Sequence, residues 1–224
     1  SAMKIGTDGV LLGAWCAVDN FPDTILDIGS GTGLIALMLA QRTKASSIEA
    51  IEIDPLAYEQ SVENFERSHW NDRLFCYHGG FTEFAEEISE EEENYDLIIS
   101  NPPFYTEDFK TENESRNTAR FTEALPFGDL FEGVHKILSK TGSFHTIIPF
   151  KELDSVLAIA AKNKLYLNRV CHVKGNAQSS VKRSLLEFSF QEKTVVTQEL
   201  TIETERHKYT DAYINLTKDF YVKM

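Results

Sequence analysis

The 224-residue chain contains no run of about 18 consecutive apolar residues, so no helix is expected to span a membrane. Its opening, SAMKIGTDGV, has no long apolar segment, and no secretory leader is expected there. Cysteine is scarce. Cys16, Cys76 and Cys171 are scattered, odd in number and form no C-x-x-C pair, which argues against a disulfide framework and against a zinc site. That usage fits a reducing cytoplasm. The six histidines stand isolated from one another, and no metal is expected. Positive charge is also in short supply: the net charge of −13, taken whole, counts against a nucleic-acid partner.

The distribution of charge alters that last exclusion. Residues 1–140 hold 10 Lys+Arg and 26 Asp+Glu, whereas residues 141–224 hold 12 and 9. Seven glutamates crowd into EFAEEISEEEE, residues 83–93, as a solvated helix face and loop. Between Ser155 and Leu186 there is no acid, yet Lys162, Lys164, Arg169, Lys174, Lys182 and Arg183 all occur. Clustered cations attract a polyanion locally whatever the total charge, so residues 155–186 are a candidate RNA-facing stretch. Chance clustering on a wet face is the competing reading.

What is present is an alternation. TILDI (24–28), SIEAIEI (47–53), RLFCYH (73–78), YDLIIS (95–100) and SFHTIIPF (143–150) are short apolar runs bounded by turn residues, and predict strands. Residues 33–42, 55–68, 82–91 and 125–139 have helical spacing, and Pro55 suits a first helical turn. Strand–helix alternation implies a parallel sheet with helices on both faces. After a helix near 151–163, the runs 164–174 and 183–192 read as two further strands joined by the polar GNAQSSV. Hydrophobic content of 42% and this length suit one α/β domain over 1–224. Residues 105–124 are polar and non-periodic, which predicts a mobile loop placed to act as a lid.

LDIGSGTG closes the first strand and opens a helix. Gly29, Gly31 and Gly33 allow a tight turn and a close ligand approach. In open sheets ligands bind beyond the carboxyl ends of the strands, where this turn lies. The G-x-G-x-G spacing departs from the dinucleotide G-x-G-x-x-G and favours a ligand without a pyrophosphate. Asp27 ends the first strand, and Glu52 and Asp54 end the next, where carboxylates can accept ribose hydroxyls. The constellation resembles the S-adenosyl-L-methionine site of class I methyltransferases. The resemblance implies a Rossmann-like, seven-stranded, mostly parallel sheet with an antiparallel C-terminal strand. It also implies that Glu52 holds the ribose and that Asp27 lies near the amino-acid moiety.

SNPPFY (100–105) follows the fourth strand and faces the same crevice. Pro102 and Pro103 fix φ and supply no N–H, so the turn is stiff and presents carbonyls. The Asn101 amide oxygen and the Pro102 carbonyl are two acceptors suited to the two hydrogens of a planar amine. Phe104 can lie against a flat ring. Holding the amine's hydrogens would aim its lone pair at a methyl donor, so that positioning and electrostatics do most of the catalysis. The motif resembles the (N/D)-P-P-(Y/F/W) of amino-methyltransferases.

Further stretches narrow the family. MKIGTDGVLLGAW (3–15), RNTAR (116–120), SVKRSLLEFSF (180–190) and YTDAYINLTKDFYVKM (209–224) are similar to the bacterial tRNA-1(Val) (adenine-37-N6)-methyltransferases. This resemblance implies tRNA as partner and places Thr7 and Asp8 against the cofactor pocket. The acid often found after the third strand is replaced by Gly80 and Phe81, so Phe81 is the candidate to pack on the cofactor's adenine. Lys174, Lys182 and Arg183 are candidate RNA contacts. Arg116 and Arg120, at i and i+4, are either phosphate contacts or an ordinary helix face. A release-factor glutamine methyltransferase and a ribosomal-RNA guanine-N2 enzyme are the alternatives, and a catalytically silent RNA-binding protein is the non-enzyme alternative. Monomer is the default assembly.

Overall fold

The computed structural model describes residues 6–103, 125–206 and 208–222. Phe104, the expected lid at 105–124 and, within it, Arg116 and Arg120 lie outside the described residues.

Five parallel strands form the centre: β1 (Thr24–Ile28), β2 (Ser47–Glu52), β3 (Leu74–His78), β4 (Tyr95–Ser100) and β5 (Leu138–Pro149). β6 (Tyr166–Asn176) and β7 (Val181–Ser189) pair antiparallel, and β7 runs antiparallel to β5. These are the seven expected strands. The sheet then continues through β8 (Val196–Glu205), parallel to β6, and the short antiparallel β9 (Lys208–Tyr209), giving the order β3-β2-β1-β4-β5-β7-β6-β8-β9. Sequence patterning overlooks β8 because VTQELTIETE exposes most of its length and buries only Leu200. A strand flanked on its outer side only by the two-residue β9 needs little apolar alternation when its ladder does the pairing.

Helices cover both faces. α1 (Thr7–Trp15), α2 (Leu34–Arg42), α3 (Pro55–Glu66) and α7 (Asp211–Thr217) lie on one side, where Leu11, Leu12, Leu39, Phe65 and Tyr213 share a cluster with Leu97 and Ile99 of β4. α4 (Phe81–Glu90), α5 (Phe127–Ile137) and α6 (Leu153–Lys162) lie on the other, where Phe131, Val134 and Val156 pack with Ile98. Successive residues of one strand thus feed opposite clusters, as a sheet buried on both faces requires. Phe131 meets Phe144 and Phe188 edge-on, with centroids 5.3 and 5.2 Å apart. This slab fixes the carboxyl ends of β1, β2, β4 and β5 side by side at one edge.

Candidate active site

At that edge β1 gives way to the glycine turn. Gly29, Gly31 and Gly33 have φ of +67°, +58° and +77°, a region that residues with a Cβ enter at a cost. The three do different work. A Cβ on Gly29 would meet nothing within 4 Å, so the space beside the turn is open. A Cβ on Gly33 would lie 2.4 Å from Phe65 Cε1 and 2.6 Å from Ser61 Oγ, so this glycine lets α2 seat against α3. The Gly31 N–H donates to Glu52 Oε2 at 2.7 Å. The turn is also tied to β2 by the Gly29 N–H, which donates to the Ile51 carbonyl at 2.9 Å.

The acid pair after β2 divides its labour. Glu52, 7% exposed, accepts from Gly31 and, through Oε1, from the Asp54 N–H at 2.9 Å. Burial raises its carboxyl above the ordinary carboxylate range. Asp54 instead caps α3, accepting the Ala57 N–H at 2.7 Å ahead of Pro55 at the first helical position. One oxygen of its carboxylate is thereby committed to the helix, whereas Glu52 stands buried beside the glycine turn.

Asp27 is 1% exposed. Its Oδ2 accepts the Ala36 N–H in the first turn of α2 at 3.2 Å, and its Oδ1 has no partner. Burial, offset in part by the Ala36 bond and reinforced by the charge of Glu52, pushes its carboxyl up to about 7. Ser30 and Ser61 add two buried hydroxyls beside the turn, with only the weak thiol of Cys76 next to them. Three of the five buried side-chain polar atoms left without a partner among the described residues therefore crowd this one turn. A concentration of that kind marks a place where a polar ligand completes the bonding. Sequence reasoning missed Ser61, which sits mid-helix with no local signal, and read Ser30 only as part of the glycine turn.

β4 delivers the NPP motif to the same edge. The Ser100 hydroxyl donates to the Ile28 carbonyl at 3.0 Å, latching the ends of β4 and β1 together. Asn101 follows, half-buried, then buried Pro102 and exposed Pro103. The Asn101 amide nitrogen lies 3.7 Å from where a Cβ on Gly9 would stand, and Leu34 Cδ2 lies 3.6 Å from the same point. The first turn of α1, with Thr7 and Asp8, thus packs between the start of α2 and Asn101. Phe81 does not join them. It is buried in the core against Gly133, where a Cβ would lie 2.4 Å from its ring, and so presents little surface to the crevice.

The acid-free stretch looks different in space. Arg169 pairs with Glu187 at 2.8 Å and lies over the Trp15 ring at 3.7 Å. Lys174 pairs with Glu199 at 2.9 Å, and Arg183 pairs with Asp8 at 2.9 Å. Lys162 and Lys164 precede β6 and so lie at the edge away from the crevice. Lys174, Lys182 and Arg183 stand at the crevice edge, because Arg183 is opposite Pro149 and Lys174 is opposite Val181. Of these three, only Lys182 is exposed and outside any ion pair among the described residues. The cations of 155–186 therefore do not share one surface: Lys174, Lys182 and Arg183 lie at the ends of β6 and β7 on the crevice edge, and Lys162 and Lys164 at the other edge.

Among the described residues no group of His, Cys, Asp and Glu is placed to hold a metal, and no helix is long and apolar enough to cross a membrane. Residues 9–126 match the model of the methyltransferase small domain. The chain is 57% identical over 223 residues, all of it and 92% of its relative, to the tRNA1(Val) (adenine(37)-N6)-methyltransferase of Christiangramia forsetii. It is 56% identical to the enzyme of the same name from Flavobacterium johnsoniae, covering 94% of that protein. In fold it is similar to a predicted O-methyltransferase from Agrobacterium tumefaciens, with a TM-score of 0.71 at 17% identity over 95% of this chain and 96% of that one.

Proposed function

The chain belongs to the family of tRNA1(Val) (adenine(37)-N6)-methyltransferases, and from that premise we propose how its own residues carry out the transfer. It is an S-adenosyl-L-methionine-dependent enzyme that methylates N6 of adenine 37 in tRNA1(Val). The reaction belongs in the cytoplasm, with the tRNA.

The residues present fit the cofactor. Gly29 and Gly31 bring no side chain to the turn, Asp27 Oδ1 lacks a partner, and Glu52 presents a buried carboxylate at the end of β2. Asp27 and Glu52 would hold the polar groups of the amino-acid and ribose parts. Gly29 and Gly31 would let the backbone come close. When bound, S-adenosyl-L-methionine supplies an electrophilic sulfonium methyl.

Placement of Asn101 carries the reading. The latch from Ser100 to Ile28 holds it at the carboxyl edge, and α1 abuts its amide nitrogen through Gly9. The amide oxygen, on the far side of the same planar group, accepts one hydrogen of the adenine amine, and the Pro102 carbonyl accepts the other. Both acceptors draw the nitrogen toward tetrahedral geometry and direct its lone pair at the methyl. No strong base is needed, because the extra proton leaves after transfer. Phe104 is assigned to stack on the adenine. Base 37 lies in a loop, where splaying it out costs little.

Single-turnover methylation tests the assignment. Asn101→Ala is expected to lose about 10²–10³-fold in rate, by analogy with removal of one positioned polar group from an oxyanion site, while cofactor affinity stays the same. Asn101→Asp keeps an acceptor of the same reach and should fall between wild type and Ala. An Ala variant as fast as wild type would reduce the motif to a rigid strand end.

A further inference from the structure

We propose that Phe150, at the mouth of the crevice, is the stacking platform for a base that flanks the methylated adenine; the inference rests on the tRNA reading above. β5 is the strand beside β4, and Ser100, which precedes Asn101, is the partner of Thr146. Phe150 follows β5 directly, four residues past Thr146, and opens a 3-10 turn (Phe150–Glu152). It stands one strand across from Asn101 and three residues further along, roughly 11 Å away and mostly outward from the carboxyl edge. An adenine whose amine is held at Asn101 points its sugar outward, so the nucleotides beside it pass at the height of Phe150. The ring leans away from β4. It meets the His172 ring edge-on, with centroids 5.4 Å apart at 89°. His172 is opposite Ser184, and Ser184 is opposite Ile148, so all three share the face that α4, α5 and α6 cover. His172 Nδ1 and Ser184 Oγ share a hydrogen bond of 2.9 Å, which fixes the imidazole as a backing for Phe150. The ring therefore serves a flanking base, and the place over β4 is left to the adenine.

The surroundings suit a nucleotide. Phe150 is 41% exposed, although Ile147 and Ile148 just before it are fully buried. A flat ring backed on one side and open on the other is a surface on which any base can stack. Two cations flank it, one along the chain and one across the ladder. Lys151 follows it directly. Lys182 is the extra residue between the pairs Val173–Arg183 and Lys174–Val181, a bulge in β7, and Arg183 is opposite Pro149. Bulges re-aim a side chain, and they recur beside active sites. Both lysines are exposed and outside the ion pairs of the described residues. The neighbouring acid, Glu152, is half-buried at the N-cap of α6. An aromatic face with cations on either side takes a base on the ring and phosphates on the lysines. Extruding one base breaks its stacking with its neighbours, and a platform for a neighbour restores part of that loss.

A mutant–substrate cycle tests this, using the tRNA1(Val) anticodon stem-loop intact, abasic at position 36, or abasic at position 38. Dissociation constants are measured for wild type, Phe150→Tyr, Phe150→Leu and Phe150→Ala, with S-adenosyl-L-methionine affinity as the check on folding. Phe150→Ala is expected to weaken the intact RNA roughly tenfold, about 1.4 kcal/mol and within the range for base stacking. Phe150→Leu keeps apolar bulk without a flat face and should lose nearly as much, whereas Phe150→Tyr should stay within about twofold of wild type. The Ala loss should vanish on one of the two abasic RNAs and persist on the other. Unchanged binding of the intact RNA by the Ala variant, a Leu variant as tight as wild type, or a loss that persists or vanishes on both abasic RNAs would overturn the inference while leaving wild-type methylation of adenine 37 standing. Failure of the wild type to methylate any adenine in this RNA would overturn the tRNA reading and the inference together.

Discussion

The glycine turn with its acids and the cationic C-terminal strands draw their polar partners from different places. At the turn the acids accept backbone N–H groups of the elements beside them: Asp54 from Ala57, Asp27 from Ala36 and Glu52 from Gly31. Each lies within one strand–turn–helix unit or its neighbour. Among the C-terminal strands, Lys174 meets Glu199 across β6 and β8, and Arg183 meets Asp8 over 175 residues. A motif made of local bonds keeps its meaning when the chain folds. A charge count over a window does not, because the sheet brings in acids from elsewhere.

The largest effect expected at the crevice is a cost of its buried acid. The Asp27 carboxyl is raised from 3.8 to about 7. Between those values the folded protein keeps a proton that the unfolded chain has released. Stability therefore falls as pH rises through that window, and the full cost stands above about pH 7. Asn at position 27 removes the charge. Asp27→Asn should raise the thermal midpoint of the ligand-free protein at pH 8, by an amount equivalent to on the order of 2–4 kcal/mol, and the gain should fade toward pH 4. Cofactor affinity should fall at the same time. A gain independent of pH would mean that Asp27 is not the strained acid.

Glu52 and Asp54 come next, and they separate binding from architecture. Glu52→Gln should weaken S-adenosyl-L-methionine by about 1.5–3 kcal/mol in calorimetry, the scale of a hydrogen bond to a charged group. Asp54→Ala should lower stability by about 1 kcal/mol through the lost cap and leave cofactor affinity nearly unchanged. The reverse pattern would return the ribose to Asp54.

The smallest effect sharpens the other half of the comparison. Lys182→Ala should flatten the salt dependence of tRNA binding by about one unit of slope. Lys162→Ala and Lys164→Ala, at the far edge, should leave the slope where it is. Equal effects from all three would restore the acid-free stretch as a single RNA-facing surface.

Most of the fold was legible because apolar runs and turn residues report burial directly. TILDI, YDLIIS and the helix signals around Pro55 mark elements within a residue or two of where they form. Strand β8 was not, since its pairing is backbone ladder and most of its side chains face water. At the site, glycines and strand-end acids were legible as a group, yet their separate duties were not. Nothing in the sequence says that Gly33 is spent on Phe65 or that Phe81 fills the core against Gly133. Those duties depend on which helix packs beside which, and that is set by the whole sheet.

The most direct test of the central claim is methyl transfer from labelled S-adenosyl-L-methionine to total tRNA lacking the modification, followed by nucleoside analysis. The label is expected in N6-methyladenosine, at position 37 of tRNA1(Val), and should disappear when that adenine is replaced by guanine. Label in N2-methylguanosine or in a glutamine amide of a release factor, with none in N6-methyladenosine, would contradict it.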